Sequence, residues 1–117
     1  MKPFFFTAAI LALSLAVTPS PALADATNFQ IVNGTDSALG ALVIRRAGTS
    51  EWRPLTAAPS PGSTSQVPFK DPDCAFDIQA NVSGKDVTWA GVNLCEVKSL
   101  TLRRDSAAGT WVDYDGN

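Results

Sequence analysis

The chain predicts an all-β fold: a single-domain antiparallel β-sandwich of about seven or eight strands, stapled by one disulfide. Three observations predict it. Short β-rich runs alternate with turn residues from Asn28 to Tyr114, the spacing of a sandwich or barrel. No stretch keeps an apolar pattern at helical period long enough for a helix. The clearest alternating run lies between Cys74 and Cys95, the chain's two cysteines.

The first element is an export signal. Lys2 gives a short positive start, Phe4 to Val17 is uncharged, Pro19 and Pro21 follow, and Ala22-Leu23-Ala24 is the small-x-small pattern of a signal-peptidase site. The apolar run of 14 residues is short of the roughly 20 that span a bilayer, so a membrane anchor is the weaker reading. Residue 25 is Asp, so a lipid-modified N-terminus is not indicated. Residues 1–24 are read as a signal peptide and 25–117 as the β-sandwich domain. The expected location is periplasmic or secreted, with no membrane anchor in the mature form.

A mature chain of 93 residues makes one domain with a modest core. Removing Lys2 from nine basic and eleven acidic residues leaves a formal charge of −3. That balance argues against nucleic acid, which wants a basic face.

Strand one is read as Asn28 to Asn33, with Phe29 and Ile31 on one face. Asn33-Gly34-Thr35-Asp36-Ser37 turns the chain. Strand two runs from Leu39 to Arg46 and is broken by Gly48-Thr49-Ser50. Trp52 to Leu55 is a short edge segment, because Pro54 cannot donate to a ladder. Ala57 to Ser63, with Pro59, Pro61 and Gly62, is a surface loop. Thr64 to Phe69 resumes as a strand.

From Cys74 to Val82, apolar Phe76, Ile78, Ala80 and Val82 alternate with Asp77, Gln79 and Asn81, so one face is buried. Ser83-Gly84-Lys85-Asp86 is a tight turn, and Gly84 as its first central residue suits type II′. That register pairs Ser83 with Asp86, Ala80 with Trp89 and Cys74 with Cys95. The cysteines then occupy a non-hydrogen-bonded site, with Cα atoms about 4.5 Å apart, a separation disulfides accept. In an oxidising compartment an even cysteine count reads as a disulfide; two buried free thiols are the alternative. The returning strand, Val87 to Leu94, puts Val92 and Leu94 on the face opposite Trp89. Either it is central and covered on both faces, or a bulge near Gly91 shifts its phase. Val97 to Arg104 gives a further strand. Thr110 to Tyr114 closes the fold, with Trp111 as its expected core residue.

The chain has no histidine. That removes the usual general base, the usual metal ligand and any serine–histidine–acid triad. With both cysteines oxidised there is no thiol nucleophile, and no phosphate loop appears. No cofactor and no metal box are indicated. Asp71, Asp73 and Asp77 form an oxygen-rich run that can suit calcium; the simpler account is a solvated loop with Asp77 on the wet face. Asp113 and Asp115 read as charges on an edge strand. Trp89 is read as core. Trp52, between Glu51 and Arg53 beside a Pro-rich loop, is a contact candidate, against simple packing over the sandwich end. Arg45-Arg46 and Arg103-Arg104 make no patch, since strand neighbours point to opposite faces. Asn33-Gly34-Thr35 and Asn81-Val82-Ser83 match the glycosylation sequon; in a bacterial export context they would be chance matches.

Phe29-x-Ile31-Val32-Asn33-x-Thr35, Cys74-x-Phe76-Asp77-Ile78 and Trp89-x-Gly91-Val92-Asn93-Leu94-Cys95-Glu96 resemble a pattern in small, largely uncharacterised exported bacterial β-proteins. The resemblance covers most of Phe29 to Leu102. It implies a disulfide-containing β fold and offers no catalytic residues to carry over. Asp36 and Arg53 depart from the residues such chains often show there. Some similar chains bear the label argininosuccinate lyase, an enzyme that is a large helical tetramer; this chain has neither the length nor the helices for it.

The sequence therefore leads to a non-enzymatic binding domain that meets an envelope protein or small ligand through its loops, as a monomer. Trp52 and Arg53, with the Pro59–Gly62 loop, are the first places to look. The alternatives are an inhibitor of a cell-wall hydrolase and a small carboxylate-based hydrolase.

Overall fold

Period-two alternation resolves into eight strands: β1 (Ala26–Asn33), β2 (Leu42–Arg46), β3 (Arg53–Thr56), β4 (Thr64–Asp71), β5 (Ala75–Val82), β6 (Lys85–Asn93), β7 (Val97–Asp105) and β8 (Gly109–Gly116). The structure, a computed structural model, describes residues 25–116. The assigned signal peptide, 1–24, lies outside the described residues. Two four-stranded sheets pack together, with strand orders β4-β1-β7-β8 and β3-β2-β5-β6, and Cys74 is bonded to Cys95. The fold is an all-β sandwich with one disulfide.

One pairing departs from a wholly antiparallel sandwich. β1 and β7 run parallel, Gln30 to Asn33 beside Ser99 to Leu102. The cause is the crossover at Cys95–Glu96, which carries the chain out of one sheet and delivers β7 beside β1 in the same direction. The chain between these two parallel strands passes through the other sheet, since a tight hairpin joins only antiparallel neighbours. Glu96 takes φ 60° at this corner.

The β5–β6 hairpin forms, two residues out of the expected register. Val82 pairs with Lys85, Ala80 with Val87 and Ile78 with Trp89. The turn residues are Ser83 and Gly84, both at positive φ (53° and 85°), which is the type I′ pattern rather than II′. Asn81 Oδ1 accepts the Gly84 amide at 3.0 Å, a local bond that favours this turn. Beyond Ile78–Trp89 the register shifts, and Phe76 faces Val92. Ala90 and Gly91 together oppose Asp77, which is a β-bulge. Gly91 supplies its positive φ of 67°. Of the two accounts the sequence allowed, the bulge is the one realised: it turns both Trp89 and Val92 inward, each 1% exposed.

The bulge also moves the cysteines out of direct opposition. The Cys74 carbonyl accepts the Leu94 amide at 2.9 Å. Cys95 comes one residue later and bridges Ala26 of β1 in the other sheet. The disulfide, with Cα atoms 5.1 Å apart, thus ties β5 to the crossover between sheets.

The core lies between the sheets. Phe29, Ile31 and Leu100 from one face Ile44, Ile78 and Trp89 from the other, all buried. Each such side chain contributes about 1.5–3 kcal/mol on burial. Phe69 meets Phe29 and Phe76 edge-to-face, at 5.7 and 5.4 Å between centroids. Trp89 Nε1 donates to the Arg103 carbonyl at 2.8 Å, so the one polar atom of the largest core residue is satisfied.

Trp111 is not a core residue; it is 42% exposed. Thr110 Oγ1 donates to the Thr88 carbonyl of β6 at 2.9 Å, and Val112 packs on the core. These turn Thr110 and Val112 toward the other sheet and leave Trp111 outside, and Tyr114, further along the strand, is exposed as well.

Candidate functional site

β2 ends on Arg46 and β3 begins on Arg53. The loop between them turns where Thr49 Oγ1 and the Thr49 amide both donate to the Arg46 carbonyl, at 2.8 and 3.1 Å. This brings Arg46, Thr49, Glu51, Trp52 and Arg53 around one groove of about 430 Å³. The two contact candidates read from the sequence, Trp52 and Arg53, both line it. The Pro59–Gly62 loop does not. The Gly62 amide donates to the Asn33 carbonyl, and Asn33 Nδ2 donates to the Pro59 carbonyl. That pins the loop to the end of β1, beside the start of β4, whereas Arg53 binds Asp71 at the end of β4.

Asp71 anchors the groove from behind. It is 3% exposed and lies on the inward face of β4, two residues beyond Phe69. Arg46 Nη2 donates to both of its oxygens, at 3.1 and 3.2 Å, and Arg53 Nη2 donates to Oδ2 at 3.2 Å. The Asp73 amide adds 2.8 Å to Oδ1. Burial alone raises the Asp71 pKa; the Asp73 amide and the two guanidinium groups more than offset it, so the carboxyl ionises below its usual range. Arg46 Nε also pairs with Asp73 at 3.0 Å. Phe69 supports Arg53 from the core side, with Cζ 5.7 Å from the ring centroid.

A second ion pair holds Trp52. Arg45 and Asp77 are cross-strand partners on the outer face of their sheet. Arg45 Nε donates to Asp77 Oδ2 at 2.8 Å, and its Cζ lies 4.4 Å from the Trp52 ring centroid. Trp52 is half-buried by this contact. Asp77 is 6% exposed, which corrects its expected place on a wet face. Its other oxygen accepts the Gly91 amide at 3.0 Å. Burial pushes its pKa up, and the Gly91 amide and Arg45 pull it down by more, leaving it lowered.

Arg45 and Arg46 point to opposite faces, as strand geometry requires, yet both serve this one end of the sandwich. Asp73 lies in an exposed loop leading into β5, as expected, whereas Asp71 and Asp77 are buried. Each carboxylate is spent on a guanidinium, and among the described residues no group of three or more acidic or cysteine side chains could hold a metal ion.

Sequence reasoning missed Arg46, Thr49, Glu51 and Asp71 as parts of one site. The signal for Asp71 was its parity. Val67, Phe69 and Asp71 share a face, and an ionised group on an apolar face needs a partner.

Each guanidinium keeps N–H donors beyond those given to carboxylates, since arginine carries five. Both side chains are half exposed, 50% for Arg46 and 52% for Arg53. The arrangement can grip a polar ligand against an indole ring, with donors already fixed in place. Comparison with known proteins gives no match to a family model, to a curated protein or to a solved structure.

Proposed function

We propose that this is a non-enzymatic binding domain of an oxidising, extracytoplasmic compartment, and that it takes its ligand in the groove of Arg46, Thr49, Glu51, Trp52 and Arg53. One observation carries the reading: two half-exposed guanidinium groups beside an aromatic ring share one buried carboxylate. Holding recognition groups in place before binding lowers the cost of ordering them. Aromatic and arginine side chains are also those that most often dominate binding energy.

The carboxylates support binding over catalysis. A general acid needs a raised pKa, and the buried pair, Asp71 and Asp77, is shifted the other way. The disulfide supports an oxidising compartment, and Ala22-Leu23-Ala24 supports export by a cleaved leader.

Two measurements test this. N-terminal sequencing of the protein from its host should begin at or near Asp25; an intact Met1 overturns the export reading. Isotope-labelled oxidised protein, titrated with small probes of different chemistry, should show saturable amide shifts at Thr49 to Arg53. Probes that leave those amides unmoved overturn the groove.

A further inference from the structure

We infer that the groove accepts a glycan, an uncharged, hydroxyl-rich oligosaccharide, rather than an anion. The inference rests on the binding-site reading above and narrows its ligand. Charge is the first argument. Arg45, Arg46 and Arg53 are answered by Asp77, Asp71 and Asp73, and Glu51 adds a further carboxylate to the lining. No excess of positive charge is left to draw an anion in, and an anion would meet Glu51 at close range.

Donor and acceptor inventory is the second argument. Guanidinium groups only donate, a carboxylate only accepts, and a hydroxyl does both. Arg46, Arg53 and Glu51 place planar donors and a two-oxygen acceptor around one volume. Neighbouring hydroxyls of a sugar, each giving and receiving, satisfy both kinds at once. A phosphate or carboxylate satisfies only the arginines.

Trp52 is the third argument. Its ring forms one wall, and Arg45 fixes it at 4.4 Å from Cζ to centroid. Arg45 covers one face of the indole; an aromatic face is electron-rich, and the other face is the one on which the apolar, weakly positive C–H face of a pyranose would stack without charge. Rigidity favours the same ligand class. Arg53 is held by Asp71 on one side and Phe69 on the other, so a weakly bound neutral ligand meets few ordering costs.

The test uses labelled, oxidised protein and reads amide shifts with cellohexaose, fully N-acetylated chitohexaose and maltohexaose, then separately with inorganic phosphate and citrate. At least one oligosaccharide should move Thr49 to Arg53 saturably. Its affinity should hold steady as sodium chloride rises from about 0.05 to 0.5 M, because the ligand carries no charge and screening weakens attraction between charges. Trp52→Ala and Arg53→Lys should each weaken binding by about tenfold or more, the lysine keeping the charge and losing the fork. Trp111→Ala, on the outer face of the other sheet, should bind as the parent does. Circular dichroism of each variant separates lost binding from lost folding. Where Trp52→Ala unfolds, Glu51→Gln replaces it, with weakened binding again expected.

Phosphate or citrate moving these amides while no oligosaccharide does overturns the glycan and leaves a binding groove. Oligosaccharide shifts confined to another face overturn the assignment to this groove. No shift with any probe overturns both readings.

Discussion

Asp77 caps Gly91: its Oδ1 accepts the Gly91 amide at 3.0 Å, across the hairpin at the point where β6 bulges. The same carboxylate holds Arg45 through Oδ2, and Arg45 lies over Trp52. A single side chain therefore fixes the phase of a core strand and one wall of the groove. The bulge puts Trp89 and Val92 into the core, and the ion pair holds Trp52 at the groove.

Replacing Asp77 with Ala should destabilise the domain by about 2 kcal/mol, because it removes the charged acceptor of the Gly91 amide and of the Arg45 guanidinium. The full cost of breaking a buried pair, about 3–5 kcal/mol, is not expected, since Arg45 is 29% exposed and can turn to water. Denaturant unfolding of variant and parent measures it. The Trp52 fluorescence should shift in the same variant, and an unchanged spectrum would count against the Asp77–Arg45–Trp52 linkage.

Acid should unfold the protein through Asp71 and Asp77. Both carboxyls ionise at lower pH in the folded chain than their ordinary value. The unfolded state then binds protons first as pH falls. Their contribution is complete above about pH 4 to 5, where the unfolded carboxyls are ionised, and is lost as pH drops through the folded values. Melting temperature should stay level from neutral pH to about 5 and then fall. In Asp71→Asn and Asp77→Asn the parent should lose its advantage at low pH, so the curves converge there.

Most of the fold was legible in the sequence because alternation, turn residues and cysteine parity are local signals. Phe29 and Ile31 on one face, and the apolar face of β5, needed no long-range information. The hairpin register was misplaced because Gly84 suits two turn types, and the Asn81 side-chain bond that decides between them depends on the turn already formed. Trp111 was misassigned because β8 alternates Trp, Val, Asp and Tyr with no clear apolar phase; Thr110 reaching Thr88 sets it. The site was half visible. Trp52 and Arg53 are neighbours in sequence, but Asp71 joins them across the gap between sheets, and strand patterns carry no information on sheet-to-sheet pairing.

The two tryptophans on β6 and β8 should behave oppositely. Trp89→Phe removes the donor to the Arg103 carbonyl and some volume from a site 1% exposed; it should cost about 2–3 kcal/mol. Trp111→Ala alters an outer face and should cost less than about 1 kcal/mol. Equal losses in paired urea titrations would contradict the inward phase of β8.

Gly34 passes tightly over β7. Its amide donates to the Leu102 carbonyl at 2.9 Å, and an added Cβ would meet Thr101 Cγ2 and come within 2.9 Å of that same carbonyl oxygen. The backbone oxygen cannot step aside without breaking the bond it accepts. Gly34→Ala should therefore cost about 1–3 kcal/mol as overpacking, and should disturb the turn where the Asn33 Oδ1 accepts the Thr35 amide and hydroxyl. Loss of protection at the Thr35 amide in hydrogen exchange is the local readout.

Reducing the disulfide should weaken both the fold and the groove. Cys74 and Cys95 close a loop with a sequence separation of 21, and releasing it returns about 3 kcal/mol of chain entropy to the unfolded state. For a domain this size each kcal/mol is worth roughly 4–8 °C, so Cys74→Ser with Cys95→Ser should melt more than about 10 °C lower. The local effect follows from the chain path. Asp71 and Asp73 lie just before Cys74, and both hold Arg46. With the staple gone, that segment is tied to the crossover by the bond from the Leu94 amide to the Cys74 carbonyl. Amide shifts on reduction should therefore spread from Cys74 through Asp71 to Arg46 and Arg53, and leave the Pro59–Gly62 loop, at the far end of β4, in place.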